Sequence, residues 1–412
     1  MIFVFGMYCR WRWYCNNPPI SGEEIQRQAY KCATVVILLV ALFCVVVYAC
    51  IIGGCYMKRF MRCVIYATLV IFLVSMSLNY AEAIDVGFTS SSERILGIID
   101  ALRDVETNKD AWGLSMVDFE ELRIGPAVNA YNHTESGFVC NNVMYPLMIG
   151  DELVLWAVPI GGQYQITNGL VSEVNECINK GDSFALVYDA CNIYIYTGNQ
   201  FCVLKETNIE IRDRTKSVIG RNTSADGVIT TKLTESESLG YSNIARASSQ
   251  TNVACNVSYV TQNPHNNLCW AATVACIVNY KSNTNLDAVT VAKRHFGNTN
   301  FDQGINPDAL NLKLATYGFN YYIFTSYDTF EDEILTSLMA DYPVGGSFDV
   351  INGGYHSTVI YGINVIAGRL QVMDPEFGMT TVVLQSDGKY RYVSNLHNTT
   401  LVLYGVTYDD GY

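Results

Sequence analysis

The chain has 412 residues, of which 50% are hydrophobic and 16% charged, and its formal net charge is −13. That length is enough for two or three domains. Residues 1–83 carry seven Lys or Arg against three Asp or Glu, whereas the remaining 329 residues carry 19 against 36. This acidic part has no basic stripe that could displace counterions from phosphates, which argues against nucleic-acid binding.

The N-terminal region is hydrophobic. Residues 33–52 form an uncharged stretch of twenty, long enough to cross a bilayer. Residues 63–78 form a shorter apolar run, preceded by basic residues and followed by Ala81-Glu82-Ala83. A basic start, an apolar centre and small residues at the end are typical of a secretory signal peptide, so cleavage is expected after Ala83.

A signal peptide that starts well inside the chain has two interpretations. In the first, Met57 is the initiator, residues 57–83 are the signal peptide and residues 1–56 are upstream sequence. In the second, both apolar stretches span the membrane and are joined by a tight basic turn. Both interpretations place the chain from Ile84 onward outside the cytoplasm, either secreted or membrane-anchored.

Residues 84–213 are predicted to form a separate, smaller, β-rich α+β domain. Apolar residues at helical spacing after a Ser-rich start predict a helix over 90–105. Short apolar runs separated by turn residues predict a meander. Its strands are expected at 153–158, 164–166, 184–188, 193–196 and 201–204, with a helix at 171–178. This segment carries no catalytic constellation of its own.

Residues 214–251 differ in composition from both neighbours, because 13 of the 38 residues are Ser or Thr and few are aromatic. This composition predicts a mobile linker that is open to proteolytic nicking. The alternative is an ordered surface loop that belongs to one of the adjacent domains.

Fourteen cysteines are present, seven of them in residues 1–83. Of the other seven, Cys269 has the sequence context of a reactive thiol. The remaining six are enough for three disulfides in an exported protein, or they are reduced packing residues, and their spacing leaves both open: Cys140, Cys177, Cys191, Cys202, Cys255 and Cys276. No CxxC pair or Cys/His cluster has metal-ligand spacing, so neither a metal nor a cofactor is predicted.

Cys269 lies where a polar loop gives way to an apolar helix, predicted over 269–280. A thiol at a helix N-terminus faces unpaired N–H groups and the positive end of the helix dipole. Both lower its pKa and favour the nucleophilic thiolate. Gln262, seven residues upstream, offers a side-chain amide that could donate to an oxyanion formed beside the cysteine.

A thiolate nucleophile also needs a base, and a group that orients the base. His356 follows a Gly-Gly-Tyr sequence at the start of an apolar strand, and Asp374 ends the next strand, eighteen residues on. The order Gln, Cys-Trp, His, Asp is that of a cysteine peptidase. His265, His295 and His397 are rival bases, but the first two lack the glycine lead-in and the strand.

Downstream of the Cys269 helix, three more helices are predicted before a run of strands. The helices are expected at 286–293, 307–312 and 330–339, and the strands at 358–366, 370–373, 381–384 and 401–406. Helices followed by an antiparallel sheet make residues 252–412 a second α+β domain.

The Gln-x6-Cys-Trp-Ala-Ala block, the Gly-Gly-Tyr-His sequence and the Asp-Pro pair resemble papain-like cysteine peptidases. Within that group they are most similar to the branch related to the bacteriocin-processing peptidases (peptidase family 39 of the cysteine clan). The resemblance covers about a third of the chain, from Tyr259 onward, and implies a two-lobed fold. It implies that Cys269 is the nucleophile, that His356 is the base, that Asp374 orients the imidazole and that Gln262 helps form the oxyanion hole. The chain has no G-x-x-x-x-G-K-[ST] loop, so ATP-driven peptide export is not expected.

The expected function is therefore that of an exported cysteine endopeptidase, made as a zymogen, which acts on protein or peptide substrates. Residues 84–213 would be a prosegment that is removed by cleavage in the linker, with a permanent accessory domain as the alternative. The alternative function is a papain-like binding module at the cell surface, either catalytically inactive or acyl-transferring.

Overall fold

The computed structural model describes residues 91–134, 136–178, 182–189, 192–206, 219, 223–233, 237–239, 241, 252–325, 330–350, 354–394 and 398–409. These residues belong to one compact unit, Thr89–Tyr412. Within these ranges, no helix is both long and apolar enough to span a membrane. The predicted segments 1–56 and 57–83, with the apolar stretches 33–52 and 63–78, lie outside the described residues.

The described residues mix helices with strands, as the predicted α+β class requires. Each predicted helix is confirmed to within a few residues, although the one predicted at 307–312 starts as a 3-10 turn, Pro307–Ala309. The α-helices are α1 (Ser91–Thr107), α2 (Val171–Cys177), α3 (Cys269–Ser282), α4 (Ala288–Phe296), α5 (Leu310–Ala315) and α6 (Phe330–Met339).

The strands fall into two groups along the chain. The first group is β1 (Arg123–Ile124), β2 (Val128–Thr134), β3 (Gly137–Ile149), β4 (Glu152–Ile160), β5 (Gln163–Thr167), β6 (Ser183–Tyr188), β7 (Asn192–Tyr196), β8 (Phe201–Glu206), β9 (Thr231–Lys232) and β10 (Glu237–Ser238). The second group is β11 (Asn252–Ala254), β12 (Tyr322–Phe324), β13 (Val344–Val350), β14 (Gly354–Asn364), β15 (Arg369–Asp374), β16 (Gly378–Leu384), β17 (Tyr390–Ser394) and β18 (Thr399–Tyr408). All the strands predicted individually are present, whereas the other strands, including the long β3 and β13, were not predicted one by one.

Strands β13 to β18, from the second group, form a closed ring. Each strand from β13 to β18 pairs antiparallel with the next, and β18 pairs back with β13. Helix α3 packs against β14 on one side and α4 on the other. Its side chains from Trp270 to Val278 are buried on every face, so α3 is a central helix rather than an amphipathic surface one.

The first group of strands is joined to this ring by both backbone and side chains. Strand β5 pairs with β16 at Thr167 and Thr380. On α1, the buried Asp104 forms an ion pair of 2.5 Å with Arg369 Nε at the start of β15. One hydrophobic core contains residues of α1 together with residues of α3 and the ring. Packing is therefore continuous across the predicted boundary between the two segments.

Parts of the predicted 214–251 linker pair with the first group of strands. Strand β9 pairs with β6, and β10 pairs with β1. Ile219 and Leu239 are buried. For these described stretches, the pairing agrees with the alternative of an ordered surface loop. The other residues of the predicted linker lie outside the described ranges.

Candidate active site

Cys269 is the first residue of α3. The residue before it, Leu268, provides no side-chain cap, so no side chain at that position occupies the N–H groups of the first helical turn. The thiol is half-buried, whereas Cys276, two turns along the same helix, is fully buried and donates to the Ser258 carbonyl at 3.4 Å. Cys269 is thus the cysteine of α3 whose sulfur is open to a ligand, and Cys276 packs in the core.

His356, on β14, lies between Cys269 and Asp374. Its Nε2 donates to Asp374 Oδ1 at 2.9 Å, and the Cys269 side chain lies close enough to interact with the ring. With Nε2 held by the carboxylate, Nδ1 is the nitrogen left to face the sulfur. Burial lowers the pKa of His356, but the charge and hydrogen bond of Asp374, together with Cys269, raise it well above 6.5. The site therefore favours the charged imidazolium form of His356.

The β14–β15 hairpin brings the histidine and the aspartate together. Its register pairs Val359 with Met373, so Asp374, the next residue of β15, lies on the same face of the hairpin as His356. The two side chains are diagonal neighbours, offset by two residues along β14. Asp374 is 1% exposed. Burial raises its pKa, but the charge of His356 and hydrogen bonds from His356, the Glu376 backbone and Tyr392 outweigh burial and lower it. The carboxylate therefore stays ionised to a lower pH than an ordinary aspartate.

Tyr392 completes the surroundings of Asp374 and was not predicted from the sequence. Its hydroxyl donates to Asp374 Oδ2 at 2.8 Å, and its ring packs edge-on against Phe348, with centroids 5.0 Å apart. Burial, followed by the charge of Asp374, raises the pKa of Tyr392 well above 10, so it remains a donor. Apolar alternation over 390–394 could have indicated a strand there, but no motif points to the hydroxyl.

Gln262 lies in the loop before α3 and is buried. Its backbone N–H donates to the carbonyl of Pro375, the residue that follows Asp374, at 2.9 Å. Its Nε2 donates to the Asn266 carbonyl at 3.4 Å, and its Oε1 has no hydrogen-bond partner among the described residues. One of the two amide hydrogens is therefore left for a ligand.

The turn after Asp374 connects three parts of the molecule. The Glu376 N–H donates to Asp374 Oδ1 at 2.9 Å, and the Glu376 carbonyl accepts from Lys205 Nζ at 3.0 Å and from Asn263 Nδ2 at 3.3 Å. The Pro375 carbonyl accepts from Tyr259 at 3.1 Å as well as from the Gln262 loop. Burial raises the pKa of the Glu376 carboxyl to about 7.

Two of the rival bases are engaged elsewhere. His265 lies on the polar loop before Cys269, and its Nδ1 is 3.3 Å from Asp302 Oδ2. His295 packs against the Trp270 ring, and burial, Lys313 and Arg294 lower its pKa. The third, His397, lies outside the described residues.

The described residues offer thiols but no ready metal site. None of the six described cysteines forms a disulfide, and Cys191 lies outside the described ranges. In the same part of the chain, no three His, Cys, Asp or Glu side chains cluster so as to hold a metal ion. The chemistry that this geometry offers is nucleophilic attack by Cys269 with proton transfer by His356.

Comparison with known families agrees with this chemistry. Residues 247–386 match a family model described as papain-like cysteine protease AvrRpt2. The match covers about a third of the chain and contains Gln262, Cys269, His356 and Asp374. It supports a papain-like cysteine protease family, but not the branch of bacteriocin-processing peptidases that the motifs resemble. No curated protein matches the sequence.

Proposed function

We propose that this protein is a cysteine endopeptidase that hydrolyses peptide bonds through a thioester acyl-enzyme. The observation that carries the proposal is the position of His356, whose ring hydrogen-bonds with Asp374 and interacts with the Cys269 side chain. A base held between a thiol and a buried carboxylate is the arrangement that nucleophilic acyl transfer requires. In the two-lobed plan that we propose, the helices from α3 to α6 form one lobe and the ring of strands the other.

In the first half of the reaction, the Cys269 sulfur attacks the scissile carbonyl carbon and the carbonyl oxygen becomes an oxyanion. The Gln262 amide and the Cys269 backbone N–H donate to that oxygen. His356 then gives its Nδ1 proton to the leaving amine, the C–N bond breaks and the acyl group remains on sulfur.

In the second half, water hydrolyses the thioester. The now neutral His356 takes a proton from water, and the hydroxide oxygen adds to the acyl carbon. The C–S bond breaks, the carboxylic acid product leaves and the thiolate–imidazolium pair is restored. Asp374 keeps Nε2 protonated in both halves and thereby keeps Nδ1 directed at the sulfur.

The proposal is tested with Cys269→Ala and Cys269→Ser variants. Wild type, incubated with a denatured protein and with a peptide mixture, should release new N-termini, whereas both variants should be inactive. Cys276→Ala, in the same helix, is the matched control and should retain activity if it folds. An active Cys269→Ala variant would refute the mechanism.

Acyl transfer to an amine is the second candidate, because the same thioester can be attacked by an amine in place of water. Adding a primary amine to the peptide reaction separates the two functions. Mass spectrometry would show free carboxylates after hydrolysis and amides after transfer. An inactive surface-binding module would give neither product.

We further propose that the protein acts outside the cytoplasm, because of the signal-like sequence that ends at Ala83. Mass spectrometry of the protein from culture should find Ile84 at the N-terminus. Peptides from residues 1–56 in the cell-associated protein would instead support the membrane-anchored interpretation.

The prediction that residues 84–213 are removed from a zymogen competes with the alternative of a permanent accessory domain. The continuous core and the buried Asp104–Arg369 pair favour the alternative, because removal of the segment would expose apolar surface and leave a buried cation unpaired. We therefore propose that this segment stays attached in the active enzyme, even if the chain is cut within 214–251.

A further inference from the structure

The turn Asp374–Phe377, which adjoins the described active site, touches the first group of strands. Lys205, on β8, donates from Nζ to the Glu376 carbonyl at 3.0 Å, and its ammonium group lies 4.7 Å from the centre of the Phe377 ring. Two independent contacts from one side chain therefore fix both residues of the turn that follow Pro375.

A second contact from the same segment holds the far end of this turn. Asn168 Oδ1 accepts from the Met379 N–H at 2.8 Å, and the Asn168 N–H donates to the Met379 carbonyl at 3.2 Å. Between them, Gly378 has φ +109°, and a Cβ there would lie 2.5 Å from Asn168 Oδ1. The turn is thus shaped to fit against this asparagine.

The opposite side of the turn carries the catalytic groups. Glu376, whose carbonyl accepts from Lys205, donates its backbone N–H to Asp374 Oδ1, the oxygen that also accepts from His356. The neighbouring Pro375 carbonyl accepts the backbone N–H of Gln262. A shift of this turn would therefore displace both the group that orients the base and the loop that carries the oxyanion donor.

We propose that Lys205 is a positioning residue for the active site, which acts through Glu376 on Asp374 and His356. The strands that precede the peptidase segment thus supply part of the active enzyme's framework, in addition to packing against it. The inference rests on the proposed cysteine-peptidase function, but its main test requires no substrate.

The test measures the rate at which iodoacetamide alkylates Cys269, by mass spectrometry, as a function of pH. A thiolate held by an imidazolium reacts at mildly acidic pH, where ordinary thiols do not. Cys140 and Cys177 are internal references, since burial raises the pKa of each above 9. The variants are Lys205→Met, Lys205→Arg and the matched control Lys232→Met, an exposed lysine on β9.

A displacement of 1 Å at a reacting group costs about a hundredfold in rate. We expect Lys205→Met to cause a smaller displacement and therefore to slow alkylation of Cys269 near pH 6 about tenfold. The rates at Cys140 and Cys177 should not change. Lys205→Arg should restore most of the rate, since it keeps the charge and the donor. In peptide cleavage, Lys205→Met should lower kcat with little change in KM.

Lys205→Met that alkylates at the wild-type rate over the whole pH range would overturn the inference, and so would a failure of Lys205→Arg to recover. If Lys205→Met lowers the melting temperature, Lys205→Gln, which keeps a neutral donor but loses the charge, replaces it and should lose part of the rate, and a Lys205→Gln rate equal to that of wild type would overturn the inference. Wild type that shows the acid-stable thiolate but cleaves no peptide would refute the proposed function and leave the positioning role standing.

Discussion

The Tyr392 hydroxyl donates to Oδ2 of Asp374, while Oδ1 of the same carboxylate accepts from His356. Both oxygens of a carboxylate that is 1% exposed are thereby satisfied. The carboxylate plane is fixed from both sides, and this fixes the direction of the imidazole.

Tyr392→Phe should lower both stability and activity while the ring packing is kept. Loss of a hydrogen bond to a buried charged group should reduce the free energy of unfolding by about 2 kcal/mol. We expect kcat to fall about tenfold, because a loosened carboxylate orients His356 less well. Tyr404→Phe, a half-buried tyrosine on β18, is the control. Full activity in Tyr392→Phe would contradict the role.

The His356–Asp374 pair should make stability depend on pH. Burial lowers the pKa of His356, but Asp374 and Cys269 raise it above 6.5, so its contribution is complete below about pH 6.5 and is lost as the pH rises through the folded-state pKa. The pKa of Asp374 is lowered, so its contribution is present above pH 3.8 and is lost as the pH falls through the folded-state value.

Wild type should therefore exceed Asp374→Asn in stability most strongly between about pH 4 and 6.5, and the gap should shrink as the pH rises through the folded-state pKa of His356, which an NMR titration of the imidazole locates. Urea unfolding at each pH measures it. Asp387→Asn, at an exposed pair with Arg391, is the control and should show no change over the alkaline range. A gap that does not shrink as His356 loses its proton would mean that the charge of His356 contributes nothing to the stability of the pair.

The two aspartates that meet Arg369 should differ in their effect on stability. Asp104 is buried, and Asp104→Ala would leave the guanidinium without its buried partner, which costs about 3–5 kcal/mol. The Asp100 side chain is 54% exposed, and Asp100→Ala should cost less than about 1 kcal/mol. Denaturant unfolding compares them. Equal losses of unfolding free energy in the two variants would mean that the Asp104–Arg369 pair stabilises the fold no more than a surface ion pair does.

Gln262→Ala should lower kcat about hundredfold, the scale for loss of one oxyanion donor. KM should change little, because the hydrogen bond strengthens only as the oxyanion forms. Gln303→Ala, an exposed glutamine whose carbonyl accepts from Trp270, is the matched control. A Gln262→Ala variant with normal kcat and raised KM would assign this side chain to substrate binding instead.

A cut within residues 242–250 should leave the two pieces of the chain together. With a site-specific protease sequence inserted there, the cleaved protein should elute as one species in size-exclusion chromatography and stay active, because a common core joins the pieces. Release of the N-terminal piece with a gain of activity would instead establish the zymogen interpretation.

The sequence predicted the positions of the helices better than the way in which the helices and strands pack together. Cys269, His356 and Asp374 could be named because each begins or ends an element with a clear apolar pattern. The roles of Tyr392 and Lys205 could not, because neither residue lies in a local motif, and Lys205 also acts through a contact with a residue 171 positions away in the chain. The Gly-Gly pair in β13 hid that strand, since glycine is disfavoured in strands.

The same local character separates the two halves of the catalytic machinery in time. His356 and Asp374 are eighteen residues apart on adjacent strands of one hairpin. Cys269 is 87 residues before the histidine, on a helix that must dock against that hairpin. Until α3 docks, the sulfur lacks the imidazole partner that the proposed mechanism requires. A chain in which α3 has not yet packed against the hairpin therefore carries no complete catalytic site.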